Sequence, residues 1–177
     1  MSFMAVTTKK TNTRIKNERQ ELLEDLEQYI LNNQSIDLIT WRLLGGRHFM
    51  HNKPVSTLDF VTAGTKGISK RSLVALACTL DIPMRAMAHM LNLSEKTLGR
   101  KKPDDLLDKL PSSLSIEIAQ TVARGIEVFD GRDKFNRWLQ KENRALRGQK
   151  PFDLLNTPTG IKLVNQVLGR IEEGVYS

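Results

Sequence analysis

The side chains with most chemistry to offer lie in one run, from Ser94 through Glu95, Lys96, Thr97, Leu98, Gly99, Arg100 and Lys101 to Lys102. Four of its last seven residues are cations. Cations at this density, beside the Thr97 hydroxyl and the Glu95 carboxylate, suit hydrogen bonding to phosphates and base edges rather than bond-making. Arg100 and Lys96 fit a guanine edge or a backbone phosphate equally well, and spacing does not separate the two. Other constellations are poorer. His48 and His51 are three residues apart, but only His89 remains elsewhere, and the single Cys78 supplies no ligand pair for a metal. Asp104, Asp105 and Asp108 read as the opening of a helix after Pro103, where carboxylates suit the helix dipole. There is no glycine-rich phosphate loop, nucleophile elbow or Ser/His/Asp constellation. The sequence predicts a binding protein with no catalytic residue, no metal site and no cofactor.

The elements that must hold this run can be read backwards from it. Ser94 is a natural N-cap, because its hydroxyl can accept amide hydrogens left free in the first turn of a helix. Leu93 just before the cap and Leu98 at the fourth helical position have the spacing of a hydrophobic staple. Asn92 falls in the turn, where it tolerates a left-handed backbone. Met84, Met87, Ala88 and Leu91 form an apolar stripe, with Pro83 suited to a first turn. Ala88 is small enough to let two helices cross closely. Together these features make a helix-turn-helix between Ile68 and Lys102. Its outward residues Glu95, Lys96, Thr97 and Arg100, with Ser94, Lys101 and Lys102 at its ends, are the predicted DNA-binding residues. The bland alternative is a helical hairpin with a solvated basic face.

Charge supports DNA. Of the net +7, residues 66–102 carry +6, from eight cations and two carboxylates. Residues 1–65 carry +1, and residues 103–177 balance at eleven of each. A basic membrane-surface helix would need an apolar face beside its cations, and here that face is required for the core. No apolar stretch reaches the length of a membrane span, and the N-terminus lacks the apolar centre of a signal peptide, so the expected location is cytoplasmic. Cys78, inside the pattern Leu73, Val74, Leu76, Ala77 and Leu80, reads as a small buried hydrophobe. Trp41 and Trp138 read as core residues, and Met84, Met87 and Met90 as core filler.

The whole chain reads as all-α. Residues 1–17 are expected to be a disordered basic tail. Residues 18–55 form a helical extension, with an amphipathic acidic-faced helix over 18–32, a second helix capped by Ser35 and stopped at Gly45-Gly46, and a loop over 47–55. The DNA-binding unit takes residues 56–110, opening with a helix from Ser56 to about Lys66 that Gly67 ends. Residues 111–177 form a C-terminal unit beginning at Pro111. There Leu114, Ile118, Val122, Ile126 and Phe129 mark a helix of about four turns, and Phe135, Trp138 and Leu139 share a face of the next. Ile161, Val164, Leu168 and Ile171 mark a last helix from about Thr159 to Glu173.

From about Phe60 to Ser177 the chain resembles the Xre/ParS/MbcA-type antitoxins, most often encoded beside RES-domain toxins. The resemblance rests on LNLSEKTLGRK and on FNRWLQKENRALRGQKPFDLLNTPTGIKLVNQVLGRIEEGV, and on their order and spacing. In the second block Trp138, Leu139, Asn143, Leu146, Gly148, Pro151, Leu154, Leu155, Thr157, Gly160, Val164, Leu168, Arg170, Ile171, Glu172, Gly174 and Val175 match the family pattern. The family often has a second glycine beside Gly148, where this chain has Arg147 and Gln149. The resemblance implies an antitoxin of a type II pair, whose helix-turn-helix binds its own promoter and whose C-terminal domain holds an NAD-degrading toxin. The end covering the toxin's active site would be Arg170, Glu172, Glu173, Gly174, Val175, Tyr176 and Ser177. An aromatic and a free carboxylate beyond a helix could plug a pocket, and Glu172 and Glu173, ill-placed for the helix dipole, could mimic phosphate charge. The implied partners are the cognate toxin, operator DNA and a second copy, as a homodimer within a hetero-oligomer. The rival reading is a stand-alone helix-turn-helix regulator with a C-terminal dimerisation or effector domain.

Overall fold

The computed structural model describes residues 35–174, and upstream of them helical backbone at positions 20, 21, 23, 24 and 28. The expected tail over 1–17, most of the acidic helix over 18–32, and Val175, Tyr176 and Ser177 lie outside the described residues. Within them the chain is all-helical. The helices are α1 (Ile36–Leu43), α2 (Thr57–Lys66), α3 (Lys70–Leu80), α4 (Met84–Met90), α5 (Glu95–Arg100), α6 (Lys109–Val128), α7 (Arg132–Leu139), α8 (Pro151–Leu154) and α9 (Pro158–Glu172). Short 3-10 turns lie at Gly46–His48 and Arg144–Leu146. No strand forms among the described residues; Ser69 and Leu106 make an isolated antiparallel bridge.

The organising element is α6. Its 20 residues present Ile116, Ile118, Ala119, Val122, Ala123 and Ile126 to the core, and α1, α2, α7 and α9 all pack on it. Its periodicity predicted about four turns starting after Pro111. The helix instead begins at Lys109, and Pro111 sits in its first turn, where a missing N–H breaks no helical bond. The preceding stretch is not helical, contrary to expectation. Asp104 pairs with Arg71, the Asp105 carboxylate accepts from the Lys102 N–H at 2.7 Å, and Asp108 takes the N-cap position of α6. Residues 103–107 run back beside the start of α3, with Leu107 N–H on the Ile68 carbonyl at 2.9 Å and Lys70 N–H on the Asp105 carbonyl at 3.0 Å.

One buried apolar cluster runs from Ile39 and Trp41 in α1, through Leu73, Leu76, Met87 and Leu98, to Val164 and Leu168 in α9. The Ser112 hydroxyl buried inside it is satisfied: it accepts from the Ile68 N–H at 3.0 Å and donates to the Leu107 carbonyl at 3.2 Å. Two glycines set helix approach in the C-terminal half. A Cβ on Gly125 would lie 2.0 Å from the Phe135 ring, and one on Gly160 would lie 1.9 Å from the Leu154 carbonyl oxygen. Trp41, Met87 and Met90 are buried as expected, whereas Trp138 and Met84 are only partly so. Cys78 is half-buried rather than enclosed, because it stands at the edge of the α3 apolar face.

Candidate functional site

The run rich in cations is carried by α4, a tight turn and α5, in the order the sequence predicts. α4 turns 106° from α3, and its Met87, Ala88 and Met90 are buried. Asn92 takes the left-handed conformation, at φ 55°, and the Leu93 N–H returns to the Ala88 carbonyl at 2.9 Å. Ser94 then caps α5, its hydroxyl accepting from the Thr97 N–H at 3.0 Å and lying 2.7 Å from the Thr97 hydroxyl. Leu98 is buried and Leu93 half-buried, so the staple pair points inward. What remains outside on the six residues of α5 is Glu95, Lys96, Thr97, Gly99 and Arg100.

The structure separates the cations into two groups that sequence could not distinguish. Lys96, Arg100 and Lys102 are exposed and their side chains have no partner among the described residues. Lys101 is half-buried, and its ammonium donates to the Leu106 carbonyl at 2.6 Å. From the start of α3, the Lys70 ammonium reaches the Lys101 carbonyl at 2.7 Å and so places a cation at the C-terminal end of α5. Arg71 is held by Asp104 through two hydrogen bonds of 3.1 and 3.3 Å. Lys70 and Arg71 stand some thirty positions from their partners in the chain, and no local period relates them.

The other predicted site lies at the end of α9. Thr157 caps this helix by accepting from the Gly160 N–H at 3.1 Å. At the far end Glu172 is bound to Arg124 of α6, Nη2 to Oε2 at 2.9 Å, while Nη1 of the same guanidinium donates to the Asn165 carbonyl at 3.3 Å. Gly169 makes room for this contact, since a Cβ there would stand 3.2 Å from Nη2. Glu172 therefore answers its unfavourable place in the helix dipole with a nearby cation. Arg170 and Glu173 are exposed, and Gly174, at φ 73°, turns the backbone out of the helix. Sequence reasoning missed Arg124, which stands among Glu117, Gln120, Thr121 and Glu127 on the polar face of α6 and so reads as an ordinary solvated cation.

Two amide side chains tie these regions together. Asn92 Nδ2 donates to the Asn156 carbonyl at 3.2 Å, joining the α4–α5 turn to the α8–α9 junction. Asn136 Nδ2 donates to the Thr79 carbonyl at 2.9 Å, joining α7 to α3. Elsewhere, His48, His51 and His89 are exposed, and no group of three or more His, Cys, Asp or Glu residues that could hold a metal occurs among the described residues. No single helix there is long and apolar enough to cross a membrane.

Residues 124–174, from the arginine that clasps Glu172 to the glycine that ends α9, match the family model for the antitoxin Xre/MbcA/ParS C-terminal toxin-binding domain. The chain is also similar to the Prs ADP-ribosylating antitoxin of Sphingobium sp. (strain YBL2), with 25% identity over 132 residues, 69% of this chain and 83% of the relative. A C-terminal domain of that type, with a relative aligned well upstream of it, supports an antitoxin of the Xre/MbcA/ParS type.

Proposed function

We propose that this chain neutralises a RES-type, NAD-degrading toxin by covering its active site with the end of α9 and the residues beyond, and represses its own operon through α4 and α5. The observation that carries the first half is the toxin-binding domain match, which runs to the exposed helix end at Gly174. The relative's name attaches that protein to ADP-ribosylation. ADP-ribosylation and NAD breakdown both cleave the bond between nicotinamide and ribose, so either route gives this antitoxin an NAD-using enzyme to block. Arg170, Glu173, Gly174, Val175, Tyr176 and Ser177 are the proposed toxin contacts, with Glu172 fixing the direction from which they leave.

The second half rests on the capped helix α5 and its free cations. Lys96, Arg100 and Lys102 would meet operator DNA directly, with Glu95 and Thr97 beside them, while Ser94 and Lys101 hold the helix that presents them. A homodimer, reading two half-sites of an inverted repeat within a cytoplasmic toxin–antitoxin hetero-oligomer, is the expected working form. The chain itself would carry out no catalysis.

The test is co-expression with the toxin gene next to it on the genome, scoring growth and cellular NAD. The expected result is rescue by the full chain and loss of rescue when residues 173–177 are deleted, with operator binding kept. A harmless neighbour that never co-purifies would replace this reading with a stand-alone DNA-binding regulator.

A further inference from the structure

The even charge balance of residues 103–177 conceals a segregation. Residues 132–150 hold seven cations and two carboxylates, a net +5, and the rest of that stretch carries −5. Arg132 is paired with Asp133, and Lys134 lies 3.7 Å from Asp130. The other five, Arg137, Lys141, Arg144, Arg147 and Lys150, are exposed and have no partner among the described residues.

Three of the five are displayed by a loop with little freedom. The Asn143 carbonyl accepts from the N–H groups of Leu146 at 3.0 Å and Gly148 at 2.9 Å, and the Asn143 N–H donates to the Gln149 carbonyl at 3.1 Å. The Asn143 side chain accepts from the Ala145 N–H at 2.9 Å, and buried Leu146 pins the loop to the core. Arg147 is held at φ 56°, a conformation that disfavours any residue with a Cβ. The fold therefore keeps a charged side chain at a position where glycine would sit more easily.

The loop is also close to the predicted DNA-binding turn. Lys150 and Asn156 are separated by α8, one helical turn of about 6 Å, and the Asn156 carbonyl is bonded to Asn92 two residues before the α5 cap. Lys150 thus lies within about 20 Å of that turn, by chain reach alone. This is shorter than the repeat of the double helix, about 34 Å.

From these observations we infer that Arg144, Arg147 and Lys150, with Arg137 and Lys141 beside them, grip backbone phosphates of the same duplex that α5 reads. The inference rests on the DNA-binding half of the proposed function. Five unpaired like charges on one short stretch repel each other, and a polyanion relieves that repulsion while releasing its own counterions. A protein partner is the poorer fit for Lys141 and Lys150, because interfaces are depleted in lysine, while the three arginines suit either kind of partner.

The experiment is fluorescence anisotropy of the full chain on a labelled duplex from its own promoter, over a series of KCl concentrations. The triple variant Arg144→Ala, Arg147→Gly, Lys150→Ala is compared with wild type and with Arg100→Ala, and thermal melting shows that each is folded. Three lost phosphate contacts lower the slope of log K against log salt by about 2.7, with binding weakened roughly tenfold or more at moderate salt. A triple variant with the wild-type slope overturns the inference while leaving α5 as the DNA reader. If that variant instead loses co-purification with the toxin, the loop belongs to the toxin interface and the inference is equally overturned. Wild-type protein that binds no duplex at any salt overturns the DNA-binding reading and the inference with it.

Discussion

Along α3 to α5, residues 66–102 carry eight cations and two carboxylates; along α7 and the loop before α8, residues 132–150 carry seven and two. In the first segment Lys70, Arg71 and Lys101 are drawn into holding the chain around α5, by contacts to the Lys101 carbonyl, Asp104 and the Leu106 carbonyl. In the second, only Arg132 and Lys134 have partners among the described residues, both carboxylates within four residues along the chain. Five cations in each remain without a partner among the described residues. The difference teaches that net charge along a sequence is not the charge a surface offers: a fold can consume part of it to position the rest. In the first segment consumption is the mechanism, since a six-residue helix has too few internal hydrogen bonds to be stable alone.

The largest expected effect concerns what joins the two segments. Gly160→Ala places a methyl group against the Leu154 carbonyl, a backbone atom that cannot swing aside. The α8–α9 junction would open, with a stability loss of about 3 kcal/mol, and the Asn92–Asn156 contact would go with it. Urea denaturation measures the first effect and exchange of the Asn92 side-chain amide hydrogens the second. Unchanged exchange at Asn92 in a destabilised Gly160→Ala protein would mean the two segments are not coupled through this junction.

Next comes the division of labour within the first segment. Lys70→Met removes a charge-assisted hydrogen bond from the end of α5 and is expected to cost about 1.5 kcal/mol. Lys96→Ala, from a side chain with no partner, should stay within about 0.5 kcal/mol of wild type yet weaken operator binding. Equal losses of stability from both would erase the distinction between tethering and free cations.

Much of this was legible in the sequence, and the limit has a physical form. Features fixed within a few residues came through: the Ser35 and Ser94 caps, the left-handed Asn92, and the inward Leu98 all follow from local geometry. Features set by where helices meet did not. Pro111 reads as a boundary by itself, but a first helical turn admits it, so α6 starts at Lys109. The partners of Lys70, Arg71 and Arg124 depend on how the chain returns on itself, and counting charge by segment treats all cations alike. The second cationic stretch was missed because its surplus was averaged against the carboxylates of the neighbouring helices.

A smaller effect, of opposite sign, is expected in the second segment. Arg147→Gly relaxes a left-handed backbone that disfavours Cβ and should raise stability by about 0.5 kcal/mol, after the entropy glycine gains on unfolding is subtracted. The same change removes one cation from the loop. A single substitution that stabilises the protein while lowering the salt dependence of DNA binding would separate the display function of this loop from any folding role. A fall in stability instead would show Arg147 to be consumed by the fold after all, as Lys101 is.

The smallest effect belongs to the clasp between Arg124 and Glu172. Both side chains are partly open to solvent, at 32% and 57% exposure, so solvent screens the pair and a double-mutant cycle should return no more than about 1 kcal/mol. Its consequence for neutralisation is expected to be larger than its consequence for stability, because the clasp sets where the residues after α9 leave the domain. Arg124→Ala and Glu172→Ala should each lower toxin affinity, and the reversed pair, Arg124→Glu with Glu172→Arg, should restore part of it, since only a positioning role depends on the pair rather than on either charge. A toxin surface that itself reads the Glu172 carboxylate gives the other pattern: Arg124→Ala leaves affinity intact or raises it by freeing the carboxylate, and the reversed pair binds worst. Titration of toxin into the four variants distinguishes the two. It thereby decides whether the end of α9, like the start of α3, commits a charge to holding its neighbours in place.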